Sequence, residues 1–204
     1  MKKMAIALLL GLAATTGALA QEQKYEPNDT DLRWYAAFGV AYGGDSLHDG
    51  TYSIGTSYSI RAGDAIMLRM GLSYQVKENF DVQLSVGYET TTTNAYDGKV
   101  QFTRVPAELM GFFDAGSQWR VGLGLRYASA AKLSSSGSVA SIGNFEYAPS
   151  IGRVIEVQYM FDSTRRDKVQ YGMSLRLINE SYQEKTTQTN YNGNSSGLSL
   201  FAYF

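Results

Sequence analysis

Eight stretches of this 204-residue chain alternate apolar and polar or small residues with a period of two. In "WYAAFGVAY", Trp34, Ala36, Phe38, Val40 and Tyr42 share one face of an extended chain, with Tyr35, Ala37, Gly39 and Ala41 on the other. "IMLRMGLSYQ" sets Ile66, Leu68, Met70, Leu72 and Tyr74 against Met67, Arg69, Gly71, Ser73 and Gln75. "FDVQLSVGYE" sets Phe80, Val82, Leu84, Val86 and Tyr88 against Asp81, Gln83, Ser85, Gly87 and Glu89. The same rhythm runs through 105–113, 119–127, 155–161, 169–177 and 198–204. A period of two puts alternate side chains on opposite faces of a strand, and a helical period fits none of these runs.

The connections also alternate. Residues 76–79, 114–118 and 162–167 make short links. Residues 43–64, 90–99, 128–144 and 180–195 make long ones, rich in Ser, Thr, Gly, Asn and Tyr. Short turns at one end and long loops at the other imply an all-β, up-and-down antiparallel barrel. Eight strands of about ten residues match the smallest common transmembrane barrel. No segment after the first twenty residues offers a long apolar run, and the mean hydropathy is slightly polar, which excludes an α-helical membrane protein but not a barrel.

Alternation alone does not distinguish a soluble barrel from one in a bilayer. The polar face carries Arg69, Asp81, Glu89, Glu108, Arg120, Arg126, Glu156 and Arg176, four arginines and four acids, set among glycines and serines and without a lysine. A narrow lumen requires small residues for space and arginine forks that pair with carboxylates. At the short-turn end, the apolar face carries Trp34, Tyr74, Phe80, Phe113, Trp119, Phe161, Tyr171 and Phe204; at the long-loop end it carries Tyr42, Tyr88 and Tyr127. Two aromatic girdles around an aliphatic band are what a bilayer selects. Arg153 shares the parity of Ile155 but lies toward the loop end, where a charge above the hydrocarbon costs little.

The expected organisation has three parts. Residues 1–20, "MKKMAIALLLGLAATTGALA", read as a signal peptide: two basic residues, an apolar run and a small-x-small site at Ala18–Ala20. Residues 21–32 form a polar periplasmic lead-in, and 33–204 the barrel, with both termini in the periplasm. The leader holds two lysines and no acid, so cleavage takes the 18 basic residues to 16 against 19 acidic ones, a net charge of −3 and no footprint for nucleic acid. No cysteine is present, which excludes disulfides and thiolate metal sites. No open edge is allowed in lipid, so the strand ending at Phe204 must pair with the one starting near Trp34.

The leader, "WYAAFGVAYGG", "WRVGLGLRY" and a terminal phenylalanine on alternating apolar residues together resemble the small eight-stranded outer-membrane β-barrels of Gram-negative bacteria, the porin-like, opacity-protein and OmpX-like group. The resemblance implies residence in the outer membrane, contact with its lipids and lipopolysaccharide, and insertion by the barrel-assembly machinery reading the last strand. The usual assembly pattern has an aromatic third from the end; this chain has Ala202 there, beside Tyr203.

No catalytic, metal or cofactor site is expected. The one histidine, His48, sits in a loop near Asp45 and Asp49, too few ligands for a metal site. It also lacks the adjacent serine that a lipid-deacylating barrel of this group would need. Asn179-Glu180-Ser181 and Asn194-Ser195-Ser196 match a glycosylation pattern that carries little weight in a bacterium. The expected role is structural or surface-interactive, through loops 43–64, 90–99, 128–144 and 180–195, around a lumen filled by arginine–carboxylate pairs. The alternative is a narrow channel for small solutes or hydrophobic molecules.

Overall fold

The fold is seen in a computed structural model that describes residues 31–51, 57–94, 98–161 and 169–204. The signal-peptide segment, most of the lead-in and the 162–167 turn lie outside the described residues. Eight strands build one barrel: β1 (Leu32–Gly43), β2 (Ala65–Lys77), β3 (Phe80–Asn94), β4 (Gly98–Asp114), β5 (Trp119–Gly137), β6 (Ser150–Met160), β7 (Gln170–Asn179) and β8 (Ser195–Tyr203). Each pairs antiparallel with its sequence neighbours.

β1 and β8 close the ring in a register running from Tyr35↔Tyr203 to Gly43↔Ser195. Two further backbone bonds, Phe204 N–H to Trp34 O (2.9 Å) and Trp34 N–H to Phe204 O (3.2 Å), extend the seam to its end. Closure removes the edge that an open sheet would present to lipid.

Side-chain direction follows the alternation. Outward positions such as Phe38, Leu68, Leu84, Leu109, Leu123, Leu175 and Leu200 are exposed, although all are apolar. The inward positions are buried and hold charged and polar side chains such as Arg69, Glu108, Arg126 and Gln158 among smaller and apolar ones such as Ala37, Met110 and Phe201. Globular proteins place these classes the other way round. An exterior of this kind is stable only against acyl chains, so the protein is a transmembrane barrel. Barrels with this exterior belong to outer membranes, and that is where this chain resides.

Two of the expected loops are largely strand. β3 continues through Asn94 and β4 begins at Gly98, so most of the expected 90–99 loop is strand; β5 continues to Gly137, well into the expected 128–144 loop. Thr90 to Thr93 are β-branched and suit a strand despite their polarity. At 17 and 19 residues, β4 and β5 exceed the ~9–11 residues that cross a bilayer. Their distal halves therefore stand in water.

There the pattern inverts. Val100, Phe102, Ala131 and Leu133 are buried inside, while Lys132 and Ser134 face out. A register shift between Thr103 and Val105, opposite Ser129–Lys132, marks the change. The 43–64 and 180–195 loops each carry a short hairpin, Ser46–Thr51 with Ser57–Arg61 and Ser181–Gln183 with Asn190–Asn192.

Candidate functional site

The inward face of the eight strands gathers the charged residues into two networks at different depths. The lower one lies near the short turns. Asp81 on β3 accepts from Arg33 on β1 (3.3 Å) and Arg120 on β5 (2.5 Å), and Arg120 Nε also donates to Asp114 at 2.9 Å. Arg33 donates to Gln170 as well. Both guanidiniums lie over the Tyr203 ring, Arg33 at 4.7 Å and Arg120 at 5.3 Å from its centroid, where the π-system attracts each cation.

The upper network joins four arginines and four glutamates. Arg176 donates to Glu156 (2.6 Å) and to both oxygens of Glu108 (2.7 and 2.8 Å). Arg69 approaches Glu156 at 3.2 Å and Glu108 at 3.6 Å. Arg126 holds Glu89 through a bidentate fork (2.6 and 2.7 Å), Glu108 at 2.9 Å and, through Nε, Glu180 at 2.9 Å. Arg104 completes the set, donating to Glu89 at 2.7 Å and to the carbonyls of Ala62 and Asp64 in the first long loop. Each carboxylate thus meets at least one guanidinium, the condition on which buried charge is tolerated.

A neutral layer separates the networks. The Tyr203 hydroxyl lies 2.9 Å from Gln83 Oε1 and 3.1 Å from Gln158 Oε1, and Gln158 donates to Glu156 at 3.0 Å. Tyr35 packs against Tyr203 at 5.2 Å between ring centroids.

Of the eight lumen charges singled out in the sequence, Asp81 and Arg120 fall in the lower network, and Arg69, Glu89, Glu108, Arg126, Glu156 and Arg176 in the upper. Four partners escape a reading of the sequence: Arg33, Arg104, Asp114 and Glu180. Arg104 and Glu180 keep the inward parity of β4 and β7 just outside the stretches that looked like strand, one residue before 105–113 and three residues after 169–177. The eight turn-end aromatics stand on the outer surface; seven are exposed, and Phe80 is half-buried with its ring over Gly111. Trp119, Tyr159, Phe161 and Tyr171 form a chain of ring contacts at 4.8, 6.0 and 5.8 Å around that rim.

Beyond the upper network, toward the long loops, lies an apolar cluster. Phe102 meets Tyr147 and Tyr182 edge-on at 5.4 and 5.8 Å, with Ile60, Val100 and Leu133 beside them. Tyr182 donates to Glu180, which ties this cluster to the ion pairs below. Burial raises the Tyr147 phenol well above its ordinary pKa. Outside, Lys185 and Lys132 hold the Glu146 carboxyl below the usual range, at 2.9 and 3.4 Å. His48 lies half-buried on the first loop hairpin, its ring 5.8 Å from that of Tyr58. Among the described residues, no group of three or more His, Asp or Glu side chains is placed to hold a metal.

Closed ring, apolar exterior and charged interior define an eight-stranded outer-membrane β-barrel. No family model and no curated protein matches the sequence. Among solved structures, the chain is similar to Ail, the attachment invasion locus protein of Yersinia pestis, crystallised in complex with the heparin analogue sucrose octasulfate. That likeness has a TM-score of 0.53 at 8% identity, over 85% of this chain and 97% of the other. Neisserial surface protein A gives 0.46 at 16% identity, over 84% and 94%, and the outer membrane protein AlkL 0.43 at 13% identity, over 92% and 96%. At these identities the Ail match speaks for the fold alone.

Proposed function

We propose that this protein is a non-conducting outer-membrane barrel whose lumen serves as a structural core and whose extracellular hairpins meet other molecules. The observation that carries this reading is the filled interior. Arg126 and Arg176 are 0% exposed, Arg69 1% and Glu108 2%, and the Phe102–Tyr147–Tyr182 cluster sits above them. A water-filled path would leave such groups accessible. An eight-stranded ring is just wide enough for its own side chains, which agrees with a solid core.

The reading assigns no chemical reaction to the chain. Its partners are outer-membrane lipids and lipopolysaccharide at the rim, the assembly machinery during insertion, and ligands of the loops. A barrel of this fold can carry a small ligand, since the Ail structure holds a sulfated sugar analogue. The rival reading is a narrow channel. Recordings in planar bilayers separate the two: the proposal expects no steady unitary steps. Regular openings abolished by Arg120→Ala or Glu108→Ala would replace it with the channel.

A further inference from the structure

An open cleft of about 460 Å³ lies at the loop end, between the last hairpin and the outer wall of the barrel. Asp45, Asn179, Asn190, Tyr191, Asn192 and Asn194 line it. Four amides and a tyrosine thus share one concavity with the carboxylates of Asp45 and Glu180, the latter already held by Arg126 and Tyr182.

The cleft is built rather than incidental. Asn192 N–H donates to Asp45 Oδ2 at 2.8 Å, and Asp45 N–H returns to Asn192 O at 2.7 Å, clipping the first loop to the last. Asn194 N–H donates to Asn192 Oδ1 at 2.8 Å, and Glu180 N–H to Asn194 Oδ1 at 3.0 Å. A backbone N–H can only be met by an amide's oxygen, so these two bonds fix which way each amide faces. Both therefore present their NH₂ groups as free donors. Among the described residues, the Asn179 and Asn190 amides have no protein partner either. Donors and a carboxylate acceptor thus stand side by side at fixed positions.

That combination matches sugars. A sugar hydroxyl both donates and accepts, so a site for vicinal hydroxyls requires the two kinds of group adjacent to each other. The half-buried Tyr191 ring offers an apolar surface for C–H groups, and the volume lies in the range of small-molecule sites.

The position selects the sugar. Ile151, 76% exposed, and Asn179 lie on the outward parity, in line with the lipid-facing Ile155 and Leu177. The cleft thus opens sideways over the leaflet. Between those levels stands Arg153, outward and exposed, opposite Asn179 in register. A cation at that height meets anionic head groups rather than acyl chains. We infer that this cleft is a binding site for the core sugars of the outer-leaflet glycolipid, with Asp45 and the four asparagines as hydrogen-bonding groups and Tyr191 as the apolar platform. The inference rests on the proposed surface role, and names the ligand class of that surface.

The test uses the full barrel in lipid nanodiscs and core oligosaccharide freed from its lipid by mild acid. Backbone amide shifts of 190–194 should move on titration, and those of the short-turn end should not. Asn192→Asp keeps the internal acceptor and loses the donor; Asn190→Ala touches no internal bond. Each should weaken binding about tenfold, the effect of one hydrogen bond, with the heat-modifiable band unchanged. Absence of shifts at 190–194, or variants that bind like the parent, would overturn the site. Dextran moving the same amides equally would overturn its assignment to the membrane's own glycolipid. A silent bilayer recording alongside failed sugar binding leaves the surface role standing, so the two failures are distinguishable.

Discussion

Replacing Arg126 by methionine removes the guanidinium that joins most of the upper network. Its three carboxylate partners are not left equally. Glu89 keeps Arg104 at 2.7 Å, and Glu108 keeps Arg176 at 2.7 and 2.8 Å. Among the described residues, Glu180 keeps only the Tyr182 hydroxyl as a side-chain hydrogen-bond partner, with no guanidinium in direct contact. One buried carboxylate thus loses its cation, and the expected cost is about 3–5 kcal/mol. Arg69→Met is the control, because Glu108 and Glu156 both retain Arg176. It should cost only the weaker contacts, about 1–3 kcal/mol. Neutralising the stranded group in Arg126→Met/Glu180→Gln should recover about 1–3 kcal/mol relative to the single variant. Urea titrations of the barrel refolded in phospholipid vesicles, followed by the heat-modifiable gel band and by Trp34 and Trp119 fluorescence, read all three. An Arg126 variant no worse than the Arg69 variant, or a double variant no better than the single, would refute the argument that Glu180 depends on Arg126.

Three more predictions concern different parts of the molecule. Leu123 is 63% exposed, yet Leu123→Arg should lower stability in vesicles by about 2–4 kcal/mol, whereas Ser134→Arg on the water-exposed part of the same strand should change it by less than about 0.5 kcal/mol. A Cβ at Gly71 would lie 2.1 Å from the Leu84 carbonyl oxygen and 2.6 Å from Ser85 Cα, so Gly71→Ala should shift the urea midpoint down by about 1–3 kcal/mol equivalent. The Glu184 carboxylate accepts from the Thr187 hydroxyl and from the Thr186 and Thr187 amides (2.9 and 3.1 Å), which hold its pKa below the usual carboxylate value. Its contribution to the 184–189 turn is therefore complete above the ordinary carboxylate range and lost as pH falls through the depressed value. Hydrogen exchange at Thr186 and Thr187 should accelerate only below that range, and a Glu184→Gln variant should lose the dependence.

The membrane-spanning part of this fold was legible because bilayer and lumen impose opposite polarities on alternate residues. Leu84 beside Ser85, or Leu109 beside Glu108, states which way each points. The reading stopped at Thr90 and Ala128 because the rule reverses there. Once the outside is water, Phe102 and Leu133 turn inward and Lys132 turns outward, and a segment such as 128–137 looks like polar loop. The same boundary hid Arg104 and Glu180, which belong to the lumen but lie past the recognised strands. The division into two networks was not legible at all. It depends on contacts across the closed ring, such as Arg69 with Glu156 and Arg33 with Asp81, whose sequence separations carry no periodic signal.

The central claim is the orientation of the strands, apolar side chains toward lipid and ion pairs within. The chain has no native cysteine, so single cysteines at Leu84, Leu123 and Leu175 can each carry one spin label in a barrel reconstituted in vesicles. The account predicts high accessibility to dissolved oxygen and low accessibility to a water-soluble nickel complex at all three positions. High accessibility to the nickel complex at Leu84, Leu123 and Leu175 would contradict it.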